Sequence, residues 1–470
     1  MRILLPTGAA TESLVRRAAA GYDADVVVTG EIASFLTPHA LRRLLRQEKY
    51  DCVVISGMCT ASFEQVERET GVVIWRGPRH AADLAMVLPL LGTGTLSRTI
   101  PADDFLSARR AEGALRRIGE QEQEAVPDFL IRGVKIGGNS RIKVLAEVMD
   151  APRCEDIRSM VKSYLASGAD IVDLGFGFDA TPEDVTRVFS LLSDIDAPLA
   201  IDTQDPSLIR AALGRADIVL SLEDANLPVI GEEVAKAGLA VVIVPGNSTL
   251  MKNIALAKKA GIRCIIADPL LQPVGSGFTR SLGRFKTCSC PIFFGAGNVV
   301  ELLDADSIGM NALLAGIAAE AGASIIFTSE HSDKTRGSIR EMRRATEMMV
   351  LARDRPYPKD LGIDLLVLKE KRRRREPPLE YDSSRQALPV PQDITYDPKG
   401  NFRIGIEGDQ IVAVIHGKAT KGARWQDVLS TLLSQGNISL LDHAGYLGRE
   451  LYKAELAIRY GRSFEQDGEF

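Results

Sequence analysis

Between residues 140 and 352 the chain repeats one pattern eight times: a short apolar or β-branched run, then a stretch of helical periodicity. The runs are 143–149 (KVLAEVM), 170–175 (DIVDLG), 198–203 (PLAIDT), 217–222 (DIVLSL), 239–245 (LAVVIVP), 263–268 (RCIIAD), 291–297 (PIFFGAG) and 324–329 (SIIFTS). Eight strand-helix units in about 210 residues is the arithmetic of a closed (β/α)8 TIM barrel, somewhat below the usual length of about 250. Several runs are apolar throughout, as strands covered on both faces require. An open doubly wound sheet of the same elements is the alternative.

The flanks read differently. Residues 1–125 alternate β-branched runs (RILLP, ADVVVTG, DCVVISG, GVVIWRG) with amphipathic stretches, the pattern of a small doubly wound α/β domain. Its first turn, Pro6-Thr7-Gly8-Ala9-Ala10, lacks the glycine spacing that lets a backbone approach a pyrophosphate. Arg76, Arg79 and His80 precede a helix predicted near Ala81, where they can hold an anion or face a neighbouring domain as a solvated loop. The charged stretch 103–125 predicts a surface helix bridging two domains. The barrel domain is then 126–360 and a basic, proline-rich linker 361–380, with six basic residues in 369–375 (KEKRRRR). In 381–470 two short strands around Gly408-Asp409 and helices over 425–434 and 442–459 predict a small α+β domain. Asp442-His443 opens the second helix, as an N-cap and a surface imidazole or as something more.

Composition excludes several classes. The 57 Lys and Arg against 62 Asp and Glu leave a formal charge of -5, so no chain-wide positive field exists to bind nucleic acid. No apolar run approaches the roughly 20 residues that span a bilayer, and the start of the chain does not read as a signal peptide, so a cytoplasmic protein is expected. Cys52 and Cys264 lie in apolar runs as small hydrophobes, and Cys288 and Cys290 lack a second Cys/His pair at zinc-ligand spacing.

In a (β/α)8 barrel the carboxyl ends of all strands meet at one mouth, which is where chemistry is built. The runs end on Glu147 and Asp150, Asp173, Asp202-Thr203-Gln204, Ser221 with Glu223, Asp224 and Asn226, Asn247 and Ser248, Asp268, Asn298, and Thr328 to His331. Carboxylates and amides around a cavity suit a neutral heterocycle with a donor-acceptor edge, because a carboxylate takes two parallel hydrogen bonds from a ring N–H and an exocyclic amine. A pterin has such an edge.

The segments GADIVDLGFGFDATPED (168–184), APLAIDTQDPSLIRAAL (197–213) and CIIADPLLQPVGSGFTRSL (264–282) resemble dihydropteroate synthase and the wider pterin-binding barrel superfamily. Over its whole length, including the Asp-His-Ala-Gly-Tyr-Leu-Gly stretch near its end, the chain is similar to the three-part synthase-related proteins of organisms that make tetrahydromethanopterin. The resemblance implies that Asp202 and Asp268 are the pterin-gripping acids, with Asp173 beside them. The family's fourth-strand Asn has no direct counterpart, so Glu223, Asp224 or Asn226 takes its place. Where the synthases carry a strand-seven Lys, this chain reads Gly295-Ala296-Gly297-Asn298, and Asn298 resembles the residue of pterin-dependent methyltransferases. The synthases' first-strand Asn-Val-Thr-Pro-Asp-Ser-Phe and second-strand Ser-Thr-Arg-Pro, which help hold the departing diphosphate, are replaced by AEVMDAP and FGFDATP.

Three functions follow from the resemblance. The first is a transferase that condenses a hydroxymethyl-dihydropterin diphosphate with an arylamine, a ribofuranosylaminobenzene phosphate, in tetrahydromethanopterin synthesis. Asp202 and Asn298 are then the expected catalytic residues, and His331, Lys334 and Arg336 the cations for phosphate. The second is methyl transfer from a tetrahydropterin, with Asn298 near the reactive nitrogen. The third is a non-catalytic pterin carrier or scaffold. The sequence singles out no metal-ligand residues and assigns no cofactor; the pterin is a substrate, Mg²⁺ the candidate metal, and a homodimer the candidate assembly.

Overall fold

The computed structural model describes the chain apart from residues 95, 106, 286–288, 370, 372–381, 388–394 and 469–470, and for 107–109 it gives the backbone alone. Contacts divide the chain into two compact units, Met1–Lys371 and Arg372–Phe470. Most of the basic run 369–375, and Cys288 of the Cys-Ser-Cys pair, lie outside the described residues.

The first unit opens with a parallel sheet of β1 (Ile3–Gly8), β2 (Ala24–Gly30), β3 (Cys52–Ile55) and β4 (Val73–Arg76), in the order β2-β1-β3-β4. This is the doubly wound layer that the alternation of the sequence predicts. Arg79 takes up no free anion-binding position, because it pairs with Asp103 and Asp104. His80 is buried, and its Nδ1 accepts a hydrogen bond from the Ala82 N–H. The helix Ser107–Glu124 does more than cover a surface. Its Ala114 and Ile118 pack against Val350, Leu351 and Leu361, and Arg110 is buried against Asp83.

A hairpin that no periodicity announced follows: β5 (Phe129–Ile131) and β6 (Val134–Ile136), turning at Arg132 (φ 42°) and Gly133 (φ 81°). Strands of three residues are too short to show an alternation. Next come β7 (Lys143–Val148), β8 (Ile171–Gly175), β9 (Leu199–Asp202), β10 (Ile218–Leu222), β11 (Ala240–Ile243), β12 (Ile265–Ala267), β13 (Ile292–Phe294) and β14 (Ala323–Ser329). All eight are parallel and close into one barrel, with β14 paired back to β7. The open-sheet alternative is thereby excluded.

Two apolar shells hold the barrel. Strand residues facing outward, such as Val144, Val172, Ile201 and Val219, pack under the surrounding helices. Residues of the other parity, among them Leu145, Ile171, Ala200, Ile218, Val242, Ile266, Phe293 and Ile325, fill the interior together with Ile131 and Ile136 of the hairpin. Arg132 of that hairpin bonds Asp217 and the Ile195 carbonyl, which precede β10 and β9, so the hairpin closes the amino end of the barrel. Only the carboxyl end remains to admit a ligand.

The second unit holds an antiparallel sheet of β15 (Arg403–Glu407), β16 (Gln410–Ile415) and β17 (Lys418–Gly422), with helices Trp425–Ser434 and Leu441–Tyr460. β17 is an addition to the two expected strands. Its sequence, KATKG, is mostly exposed and charged, as an edge strand should be, and carries no apolar alternation. Asp442 lies in the first turn of the last helix rather than at its cap, which is Leu440. His443 donates or accepts through Nδ1 at 3.0 Å from buried Asp397, a carboxylate that also receives the Ser439, Leu440 and Lys399 N–H groups. Among the described residues no helix is long and apolar enough to cross a membrane.

Candidate active site

Side chains alternate along a strand, so every second residue of a barrel strand points inward. On β7 that parity is Lys143, Leu145, Glu147; on β8, Ile171 and Asp173; on β9, Ala200 and Asp202; beyond β12 it runs from Ile266 to Asp268. Leu145, Ile171, Ala200 and Ile266 form one apolar layer. The acids form the next layer toward the carboxyl ends. Glu147 stands opposite Asp173 in the β7–β8 register, and Asp202 opposite Gly175 on one side and Leu220 on the other. One carboxylate oxygen each from Glu147, Asp173 and Asp202 comes within 4.8 Å of the other two.

The electrostatics of this layer are one-sided. Asp173 is 0% exposed; no side chain among the described residues donates to its carboxylate, and the neighbouring Leu174 N–H offsets its burial only in part. Burial, with Asp202 and Glu147 adding repulsion, holds its carboxyl well above the usual range. Burial also pushes Glu147 up to about 7, reinforced by Asp202 and Glu301. Asp202 is raised by burial. Asp268, three strands round the barrel from Asp202, is pushed up to about 7 by burial, although the Leu270 N–H donates to its Oδ1 at 2.8 Å. No arginine or lysine is paired with Glu147, Asp173, Asp202 or Asp268 among the described residues. Such a layer either keeps its protons or is met by donors or positive charge from a ligand.

The other expected site residues are distributed around this centre. The Asn226 side chain is buried in loop hydrogen bonds: its Oδ1 accepts from the Glu223 N–H, and its Nδ2 donates to the Gln204 and Ser221 carbonyls. Asp224 accepts from the Asn247 and Ser248 N–H groups. Glu223 is half-buried beside it, and both carboxylates fill the space where a Cβ on Gly246 (φ 50°) would sit. Asn298 is exposed on the short helix Gly297–Glu301. His331 and Arg336 are exposed on the loop after β14, while Lys334 pairs with Asp304 and the Leu303 carbonyl. The structure therefore brings Asp173 and Asp202 together, keeps Asp268 in the inward layer three strands away, and places the remaining expected residues in the segments beyond the strand ends.

Two residues were not singled out by sequence reasoning. Glu147 read as one more polar strand end, although the period of two from Leu145 was the signal that aims it inward. Glu301 organises the loop after β14: it accepts from the Ser329, Ser332 and Thr335 hydroxyls and the His331 N–H. Burial works against its charge, but the Ser332 and Thr335 hydrogen bonds hold its carboxyl below the ordinary value.

Residues 396–467 match the family model described as PterinBD-DUF4346. An uncharacterized protein of Methanocaldococcus jannaschii is 33% identical over 519 residues, an alignment covering 99% of this chain and 98% of that protein. Among solved structures, the dihydropteroate synthase of Yersinia pestis is 21% identical, with a TM-score of 0.37, over 47% of this chain and 96% of its own. That of Thermus thermophilus is 18% identical, with a TM-score of 0.35, over 44% and 92%. The chain belongs to the family of the Methanocaldococcus jannaschii protein.

Proposed function

We propose that the barrel mouth binds a hydroxymethyl-dihydropterin diphosphate and joins it to an arylamine, as in tetrahydromethanopterin synthesis with a ribofuranosylaminobenzene phosphate. The observation that carries this reading is the inward layer of acids without cations at the open end of the barrel. Asp268, and Asp202 across from it, are the groups to grip the donor edge of the ring, each ionised carboxylate accepting parallel N–H bonds. The bond between the pterin methylene and the diphosphate oxygen breaks with its electron pair leaving on the diphosphate. The cationic methylene that remains is stabilised by the Asp202 carboxylate. The arylamine nitrogen supplies the pair for the new C–N bond and gives its proton to water. His331 and Arg336, exposed on the loop after β14, are proposed to meet the diphosphate, and Lys334 joins them if it releases Asp304.

Purified protein incubated with the pterin diphosphate and candidate arylamines should release diphosphate in step with a coupled product. Asp202→Asn should lower that rate by roughly 10²- to 10³-fold, the scale of losing one electrostatic stabiliser. Pterin binding with no diphosphate release, or full turnover in the variant, would defeat the proposal.

A further inference from the structure

We propose that β2, the edge strand of the N-terminal sheet, is a dimer interface that pairs antiparallel with β2 of a second copy of this chain. The inference rests on this sheet and is independent of the chemistry proposed for the barrel.

The first observation is an open ladder. β2 (Ala24–Gly30) ends the sheet order and pairs with β1 alone. Ile3 of β1 pairs with Ala24, and its N–H donates to the Asp23 carbonyl at 2.9 Å. In a parallel ladder that phase sends the backbone groups of Asp25 and Val27 to β1, and those of Ala24, Val26 and Val28 outward. Among the described residues no hydrogen bond meets these outward groups. The register is regular over this stretch and slips only beyond Val28.

The second observation is that the other sheet edges are guarded and this one is not. Soluble proteins blunt edge strands with charged residues, proline, short length or a covering segment. β4 has four residues, ends on Arg76, and is capped where the Arg76 N–H bonds the Ser97 carbonyl. β15 carries exposed Arg403 and Glu407, and β17 exposed Lys418 and Lys421. β2 reads Ala-Asp-Val-Val-Val-Thr-Gly, without lysine, arginine or proline. Its one charge, Asp25, is paired with Arg2 at 2.8 Å. Tyr22, Val28, Ile32 and Phe35, on β2 and to either side of it, are exposed and give the edge an apolar margin.

The phase of the ladder also selects the occupant. With a two-fold axis at Val26, Ala24 stands opposite the partner's Val28, and Val26 opposite the partner's Val26. All three outward residues of each strand then exchange N–H···O bonds. Asp25 falls opposite the partner's Val27, so no two acids face each other. The same axis brings the Tyr22 end of each strand to the Ile32 end of the other. Such a contact is self-complementary, and with β4 capped the sheet stops growing at two chains.

The test follows the mass of the full chain by sedimentation equilibrium over a concentration series. The wild type should reach twice the mass of one chain. Val26→Pro removes an N–H that the single chain does not use and puts a ring where the partner strand would lie, so it should fold and lose the dimer. Val26→Cys places two thiols across the axis, at a Cα separation of about 5.5 Å that a disulfide spans. With oxidised glutathione as the oxidant it should give a covalent dimer that dithiothreitol reverses, while the wild type, with the same native cysteines, should not. If Val26→Pro does not fold, the cross-link decides. A wild type that stays monomeric throughout the series, a folded Val26→Pro protein that remains dimeric, or a dimeric Val26→Cys protein that does not cross-link overturns the proposal.

Discussion

Asp268 offers a direct measure of how strongly the barrel mouth resists charge. Its carboxyl is pushed from an ordinary 3.8 up to about 7 by burial, with 8% of the residue exposed. Because the folded protein holds this proton more tightly than the unfolded chain, the group costs nothing below pH 4, where both forms are neutral. Above pH 4 the unfolded chain ionises first, and stability falls by up to about 1.4 kcal/mol per pH unit until the folded carboxyl also ionises near 7. The full penalty is roughly 4 kcal/mol. Asp268→Asn abolishes it while keeping the oxygen that accepts from the Leu270 N–H. The variant should therefore match the wild type near pH 4 and exceed it by up to roughly 4 kcal/mol at pH 8. Urea unfolding at a series of pH values reads this difference, and the shifts of Glu147, Asp173 and Asp202 are common to both proteins. Trp75, on β4, and Trp425, one in each compact unit, are the two tryptophans of the chain, so in a Trp425→Phe background fluorescence reports on the first unit, Met1–Lys371, alone. A difference between the two proteins that stays flat from pH 4 to 8 would refute the burial argument. A pterin that pairs with the ionised carboxylate should shrink the gap.

Other outcomes follow from buried charge and backbone geometry. Asp83 bonds Arg110 at 2.9 Å and Arg355 at 3.0 Å, with all three side chains under a tenth exposed. Asp83→Asn takes the shared carboxylate from two buried guanidiniums, which keep the Asp360 carbonyl and, for Arg110, Asp103 at 4.0 Å. It should cost about 3 kcal/mol in the same urea assay; a loss below about 1 kcal/mol would mean that these remaining partners and water replace the carboxylate. Gly246→Ala places a methyl against the Glu223 and Asp224 carboxylates at a positive φ, and should cost about 1 to 3 kcal/mol by thermal unfolding. Pairing it with Glu223→Ala should recover only part of the steric cost, because Asp224 still crowds the methyl, and none of the strain; an unchanged melting temperature in the single variant would count against the crowding.

The barrel was legible because its strands are buried on both faces and so stand out as apolar runs. The run 143–149 became β7 at Lys143–Val148, and 217–222 became β10 at Ile218–Leu222. The β5–β6 hairpin and β17 were not, since three-residue strands and a lysine-bearing edge show no period. Arg79 shows a different limit. As sequence it is a cation before a helix, and only the fold brings Asp103 and Asp104 to neutralise it.

What the sequence determined by itself is local and periodic: which segments are strands, that they alternate with helices, and that their carboxyl ends carry acids. The convergence of Glu147, Asp173 and Asp202 was decided by the closed tertiary structure, because register and strand tilt set distances between residues that lie some 25 to 55 positions apart in the chain. Burial did the rest, turning ordinary carboxylates into groups that need a partner, and burial belongs to the packed barrel and its hairpin plug rather than to any stretch of residues.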